Sequence, residues 1–350
     1  MDPVEPSASR LALTRLALAA LLALAAAGPA RAQSVEEFYR GKKIDFVIGY
    51  SSGGTYDLYA RLVARHLGNY IPGKPAIVPR NMPGAGSRTA TAWTYSIAPR
   101  DGTVLATADQ SLSLQQAIGD KRLTFDTTKL VYVGNPNSEN NTTAVWHTSS
   151  VKTIADAKQK QVTLGATGGS TSPQYPKAMN ALLGTKFKII IGYPGGNDIN
   201  LAMKRGEVDG RGSNSWASWK ATRAHWLAEK KINILVQIGL NKAPDLPDVP
   251  LLMDLAVNEE DRTILRLLSA STRIGRPIFA PPETPADRIK ALRDAFDAMV
   301  RDPAFLEAAK KEHFDIDPVS GAELQAVVAD MVATPEPLAE RLRGIIEERN

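Results

Sequence analysis

Apolar positions along the chain fall into short runs separated by longer segments of helical period. Phe46-Val47-Ile48 leads into Gly49-Tyr50-Ser51-Ser52-Gly53-Gly54, after which Leu58 and Leu62, and Tyr59, Val63 and Leu67, recur at intervals of four. That order predicts a buried strand, a glycine turn and a helix. Further apolar runs at 103–107, 130–133, 162–164, 188–191 and 232–238 are each bounded by Gly or Pro, with helical stretches between them. Strands alternating with helices predict an α/β protein with parallel sheets covered on both faces. From Thr284 the pattern is wholly helical. Thr284 is placed to cap, Pro285 suits a first turn, and Ile289, Leu292, Phe296 and Met299 form an apolar stripe.

The start of the chain has a different grammar. Arg10 and Arg15 precede the apolar run LALAALLALAAA at 16–27, and Ala30-Arg31-Ala32 offers a small-residue cleavage site. This reads as a secretory signal peptide over 1–32, cut after Ala32, and not as an anchor, which needs about 20 apolar residues. The mature protein is therefore expected outside the cytoplasm. It has no cysteine, so export brings no disulfide, and thiol chemistry and cysteine-ligated metal are excluded. A chain of 350 residues exceeds one hydrophobic core, and two lobes follow. The excess of 42 basic over 37 acidic residues is scattered, without a basic run, which gives no support to nucleic-acid binding.

Gly49-Tyr50-Ser51-Ser52-Gly53 spells G-x-S-x-G, the nucleophile elbow of serine hydrolases. That fold needs earlier strands to supply an oxyanion-hole loop, whereas Ser51 follows the first strand of the mature chain. His66, His147, His225 and His313 have no recognisable catalytic setting. An exported hydrolase using Ser51 stays as the alternative reading. The same turn serves binding with less machinery. Gly53 and Gly54 let successive N–H groups converge on an oxygen, Ser51, Ser52 and Thr55 add hydroxyls, and Asp57 can cap free amides in the first helical turn. Such a turn suits a carboxylate.

A second copy of this chemistry appears in Ile189-Ile190-Ile191-Gly192-Tyr193-Pro194-Gly195-Gly196, again strand, Gly-Tyr, Gly-Gly, helix. Two lobes each bringing such a turn to a shared cleft make a clamp, since ligands of open α/β sheets bind beyond the carboxyl ends of strands. Asn81-Met82-Pro83-Gly84-Ala85-Gly86-Ser87 and Gly165-Ala166-Thr167-Gly168-Gly169-Ser170-Thr171-Ser172 are further small-residue turns. Neither is a P-loop or a G-x-G-x-x-G dinucleotide site, so no cofactor and no metal are expected.

Taken in order, these motifs resemble the extracytoplasmic solute receptors of tripartite tricarboxylate transporters, also called Bug-type receptors, over nearly all of the mature chain. The family's first loop, P-x-P/A-x-G-G-x-x-D, is similar to Gly49 through Asp57, its N-x-P-G-A-G-G to Asn81 through Ser87, and its A-x-x-x-P-D-G-Y-T-L to Ala98 through Leu105. Its glycine-serine loop resembles Thr167-Gly168-Gly169-Ser170, its Y-K-G-G Tyr193-Pro194-Gly195-Gly196, and its G-x-V-D Gly206-Glu207-Val208-Asp209.

The resemblance implies a two-lobed, type II-like periplasmic-binding-protein fold, a Venus flytrap with its ligand cleft between the lobes. It implies no enzyme activity but delivery of a small organic acid, a carboxylate, to membrane permease subunits. The candidate binding residues are Tyr50, Ser51, Ser52, Gly53, Gly54, Thr55 and Asp57; Asn81, Gly84, Ala85 and Gly86; Thr167, Gly168, Gly169, Ser170 and Thr171; and Tyr193. Arg211, after Val208-Asp209, could pair bidentately with a carboxylate, or be an ordinary surface arginine. Ser213 and Asn214 offer polar contacts nearby. Asp109 would repel an anion unless the ligand carried an amine, and it is left out of the site. Trp216, Trp219 and Trp226 read as one packed helix face.

The chain is expected to cross between lobes more than once, with 34–141 plus 273–350 in one lobe and 142–272 in the other, and to act as a monomer. A sensing subunit with the same clamp is a further alternative. The first loop lacks the family's prolines and carries Tyr50 and Ser51, and Pro194 replaces a lysine. Ligand identity therefore does not transfer from the resemblance.

Overall fold

The computed structural model describes residues 33–138 and 140–347. The expected signal peptide and its cleavage point lie outside the described residues. Ser34 and Glu37 form a capping box that opens α1 (Val35–Tyr39). Then follow β1 (Lys43–Ile48), α2 (Thr55–His66), β2 (Ala76–Asn81), α3 (Arg88–Ser96), β3 (Val104–Thr107), α4 (Leu112–Ala117) and β4 (Val131–Asn135). The middle of the chain runs through β5 (Asn141–Trp146), α5 (Ile154–Gln159), β6 (Val162–Ala166), α6 (Thr171–Leu183), β7 (Phe187–Ile191), α7 (Gly196–Arg205), β8 (Gly210–Ser215), α8 (Trp216–Ala228) and β9 (Ile232–Ile238). It closes with α9 (Glu259–Ala270), β10 (Ile278–Ala280), α10 (Ala286–Met299), α11 (Pro303–Lys311), β11 (Val319–Ser320), α12 (Gly321–Val332) and α13 (Glu336–Glu347).

The strands form two sheets, one per lobe: β11-β4-β10-β3-β1-β2 and β7-β6-β8-β5-β9. The chain leaves the first sheet after β4, builds all of the second from β5 to β9, and returns at β10. Within each sheet β1, β2 and β3, and β6, β7 and β8, are parallel. The expectation of purely parallel sheets is corrected at the crossings, where β5 and β10 run antiparallel to both neighbours. A strand arriving from the opposite lobe enters its sheet from the other end.

Both sheets are covered on both faces. Phe46 and Ile48 of β1 pack with Tyr59, Leu62, Leu292 and Phe296 on one side, while Val47 packs with Ala90, Ala106, Phe279 and Val328 on the other. That double burial explains the unbroken apolar run in β1. In the second lobe Ala144, Ile199, Met203, Trp219 and Trp226 cover one face, so the tryptophans do pack as a helix face. Leu164, Tyr175, Met179, Leu265 and Ile264 cover the other, and Ala339 and Leu342 of α13 join that cluster. Lys177 Nζ donates to Ile346 O (2.7 Å) and Arg341 meets Asp261 (2.5 Å), so α13 is tied to the second lobe. Thr284 does not cap α10: its hydroxyl turns to Pro281 O and the helix opens at Pro285. Among the described residues no helix is long and apolar enough to cross a membrane.

Candidate functional site

One cavity of about 80 Å³ between the lobes is lined by residues of five strand-to-helix junctions, β1–α2, β3–α4, β6–α6, β7–α7 and β8–α8, and four of these helices, α2, α6, α7 and α8, start in its wall. Their N-termini are dressed differently. Ser170 caps α6 by accepting from Ser172 N–H, and Ser215 caps α8 by accepting from Ser218 N–H. The N-caps of α2 and α7 are Gly54 and Gly195, which have no side chain to cap with. Their first amides therefore face the cavity without a side-chain cap, where the helix dipole favours negative charge. The lobes meet at this point. Ser51 Oγ donates to Asp198 Oδ2 (3.0 Å), and the Thr55 and Ser218 hydroxyls share a hydrogen bond.

Arg211 of β8 stands at the same end of the cavity and is only 7% exposed. Its Nε donates to Ser213 O (3.0 Å), and its Nη1 to Gly196 O (3.2 Å) and Asn200 Oδ1 (2.9 Å). The guanidinium lies 5.5 Å from the Trp219 ring. No described carboxylate pairs with it. Burial, reinforced by the neighbouring Arg223 charge, pushes its pKa down to about 9. A buried cation held only by neutral oxygens has an uncompensated desolvation cost, which an entering anion relieves.

Asp109, in the loop after β3, also lines the cavity and is 4% exposed. It accepts from Tyr50 OH (2.5 Å), Ser111 Oγ (2.5 Å) and Ser111 N–H (2.9 Å). Burial pushes its carboxyl above the ordinary range, against the hydrogen bonds from Ser111, Tyr50 and the Thr171 amide, which favour the charged form. Tyr50 is itself buried and stacks on Tyr56, ring centroids 4.7 Å apart.

The structure separates the sequence candidates into groups. Tyr50, Ser51, Gly53, Gly54, Thr55, Thr167, Ser170, Thr171 and Arg211 line the cavity. Asp57 and Asn81 stand behind the first turn and shape it. Asp57 accepts from Gly53 N–H (2.9 Å), Arg61 Nε (2.9 Å) and Asn81 Nδ2 (2.8 Å), and Asn81 Nδ2 also reaches Tyr50 O (2.9 Å). Ser52 is exposed and lines neither cavity.

Gly84, Ala85, Gly86, Gly168, Gly169 and Tyr193 border a second, open groove of about 900 Å³, which shares Thr167 and Ser170 with the first cavity. At its edge the lobes touch backbone to backbone: a Cβ on Gly86 would collide with the Gly169 carbonyl. Gly84, Ala85, Gly86 and Ser87 all have positive φ (150°, 46°, 65° and 73°), a run that fits this close approach. The groove is larger, but the buried unpaired charges face the smaller cavity.

Sequence reasoning left Asp109 out and did not single out Gln110, Asn141, Asn200, Ser218 or Arg276, all in the cavity wall. One signal pointed to Asp109 and Gln110, because they follow the carboxyl end of β3, where α/β sheets bind ligands. Arg276 precedes β10 with no local pattern to mark it. No histidine lines the cavity. Among the described residues no cluster of three or more His, Asp or Glu side chains is placed to hold a metal ion.

Known proteins bear directly on this geometry. A curated relative from Cupriavidus necator, the "UPF0065 protein in gbd 5'region", is 26% identical over 328 residues, spanning 91% of this chain and 92% of that one. The solved periplasmic binding protein BugD superposes with a TM-score of 0.70 at 18% identity, covering 88% of this chain and 98% of its own. MatC from Rhodopseudomonas palustris, solved with bound malate, gives 0.68 at 18% identity over 88% and 99%. A further R. palustris protein, solved with adipate, gives 0.68 at 18% identity over 87% and 98%. These likenesses establish the two-lobed fold of periplasmic binding proteins. Residues 59–345 match the family described as "Tripartite tricarboxylate transporter family receptor", and the chain belongs to that family of receptors.

Proposed function

We propose that this chain is a periplasmic receptor that closes on one small organic acid, holds its carboxylate, and delivers it to the membrane subunits of a tripartite transporter. The observation that carries this reading is Arg211, buried without a carboxylate partner beside the side-chain-free N-caps of α2 and α7. The relatives solved with malate and adipate support the same ligand class. In the gripping set we place Ser51, Gly53, Gly54, Thr55 and Arg211, with Thr167, Ser170 and Thr171 facing them and Asp57 and Asn81 holding the first turn. Gly84, Ala85, Gly86, Gly168 and Gly169 act as the contact that forms when the lobes close. Chemistry on Ser51 has no support here, because its hydroxyl is spent on Asp198 and no histidine lines the cavity. The exported form begins at Gln33 and acts as a monomer, which intact mass and light scattering of the secreted protein check.

The test is a thermal-shift screen of the mature protein against mono-, di- and tricarboxylates, amino acids and aromatic acids. A ligand at 100 times its Kd stabilises by about 2.7 kcal/mol. An acid that stabilises the wild type but not Arg211→Gln is the expected result. No response to any acid in the screen would overturn the reading.

A further inference from the structure

Arg211 and Asp109 line one cavity and are not paired with each other, while Arg276, the other arginine of its wall, donates to Asn137 Oδ1 (2.6 Å) and Ser215 Oγ (2.6 Å). Arg211 donates only to carbonyl and amide oxygens. Asp109 accepts from neutral donors, the Tyr50 hydroxyl, the hydroxyl and amide of Ser111 and the Thr171 amide, and no described Lys, Arg or His forms an ion pair with it. Neutral donors satisfy the lone pairs of a carboxylate but leave its charge in place. Both residues are more than nine-tenths buried and both line the same cavity.

The helix termini sort the same way. The N-caps of α2 and α7 are glycines without side-chain caps. The start of α6 already has Ser170 as its cap and Asp109 beside the Thr171 amide. A ligand carboxylate therefore has a favourable place at the Arg211 end and an unfavourable one at the Asp109 end, where like charge repels it in a medium of low dielectric.

Resting on the receptor reading above, we infer that the ligand is a small zwitterion, with one carboxylate on Arg211 and the α2 and α7 N-termini and one ammonium group turned toward Asp109. Size agrees with this. A cavity of about 80 Å³, at about 10–15 Å³ per water-sized group, holds roughly five to eight non-hydrogen atoms. Amino acids with short side chains fall in that range. A second carboxylate turned toward Asp109 would meet a like charge there.

The experiment is titration calorimetry of the mature protein at pH 7 with three matched series. Glycine, L-alanine, β-alanine and 4-aminobutyrate carry both charges at increasing separation, propionate and butyrate carry one carboxylate, and malonate and succinate carry two. The expected result is a zwitterion that binds at least tenfold tighter than every member of the other two series. Asp109→Asn should shrink that preference below threefold, chiefly by weakening the zwitterion.

Succinate or malonate as the tightest ligand of the wild type would overturn the inference, and so would a tenfold preference that survives in Asp109→Asn. If that variant does not fold, the wild-type ranking decides alone. If no probe in the three series binds while a larger acid from the wider screen does, this inference falls and the receptor reading stands. If no acid binds at all, both fall.

Discussion

Ser51 Oγ donates to Asp198 Oδ2 at 3.0 Å, joining the turn after β1 in one lobe to the first turn of α7 in the other. The serine that looks like a nucleophile in sequence is thus a clasp between lobes. A hydrogen bond to a charged acceptor is worth about 1.5–3 kcal/mol. Ser51→Ala should therefore weaken ligand binding by roughly ten- to a hundredfold, mainly through faster release, as stopped-flow and calorimetry together would record. A fluorophosphonate probe should leave the wild type unlabelled. Stoichiometric labelling at Ser51 would restore the hydrolase.

Arg211 predicts opposite effects on stability and on binding. Arg211→Gln removes a buried charge that has no counter-ion, so the ligand-free protein should melt at the same temperature or higher. Losing one member of a buried charge pair in the complex costs about 2–5 kcal/mol, so affinity should drop at least about thirtyfold. Parallel melting curves with and without ligand measure both. A variant that melts much lower yet binds normally would remove Arg211 from the grip.

Gly54→Val separates ligand contact from folding. A Cβ at Gly54 has nothing nearer than Ser51 O at 3.9 Å, and its backbone conformation (φ −82°) accepts any residue. The fold should lose little stability while the bulk blocks oxygen approach to the α2 amides. Unchanged affinity in this variant would sink the backbone grip.

Gly86→Ala tests closure. The substitution forces a Cβ into the Gly169 carbonyl and into a left-handed conformation (φ +65°), at a cost of about 1–2 kcal/mol from the backbone alone. Small-angle scattering should show wild-type protein compacting on ligand addition and Gly86→Ala compacting less, with weaker binding. Equal compaction would mean that the two loops are not a closure contact.

Asp57 predicts a pH effect of definite sign. It is 2% exposed. Burial raises its carboxyl, but the bonds from Arg61, Gly53 N–H and Asn81 outweigh burial and hold it below the ordinary value of 3.8. The stabilisation is therefore complete above that value and is lost as pH falls through the lowered one. Asp57→Asn should cost about 1.5–3 kcal/mol near neutrality, with the gap to wild type closing below about pH 4. Denaturant melts at pH 7 and pH 3 check the sign.

Several features were written locally and could be read from the chain. Phe46-Val47-Ile48 announces a strand buried on both faces, because each residue needs apolar cover whichever way it points. Gly53-Gly54 before a helical period announces an open helix start, and the ordered motifs from Gly49 to Asp209 carry the family. The duplicated Gly-Tyr turn marks two like strand-to-helix turns in the chain, but the antiparallel direction of β5 and β10 has no such local mark.

What tertiary structure decided was mostly polar. β8, Gly210-Arg211-Gly212-Ser213-Asn214-Ser215, has no apolar residue and becomes a strand only because β5 and β6 flank it. Asn141-Thr142-Thr143 is buried for the same reason, with Thr142 accepting from Trp219 Nε1 (2.9 Å) and donating to Asn214 O (2.9 Å). Whether Gly86 faces a ligand or the Gly169 backbone depends on how close two lobes approach, and no residue pattern encodes that distance. Nor does any local signal place Asp109 and Arg211 in one cavity. Periodicity reports which side of an element is buried, whereas the meeting of side chains from distant elements is set by packing, and in this protein that meeting makes the site.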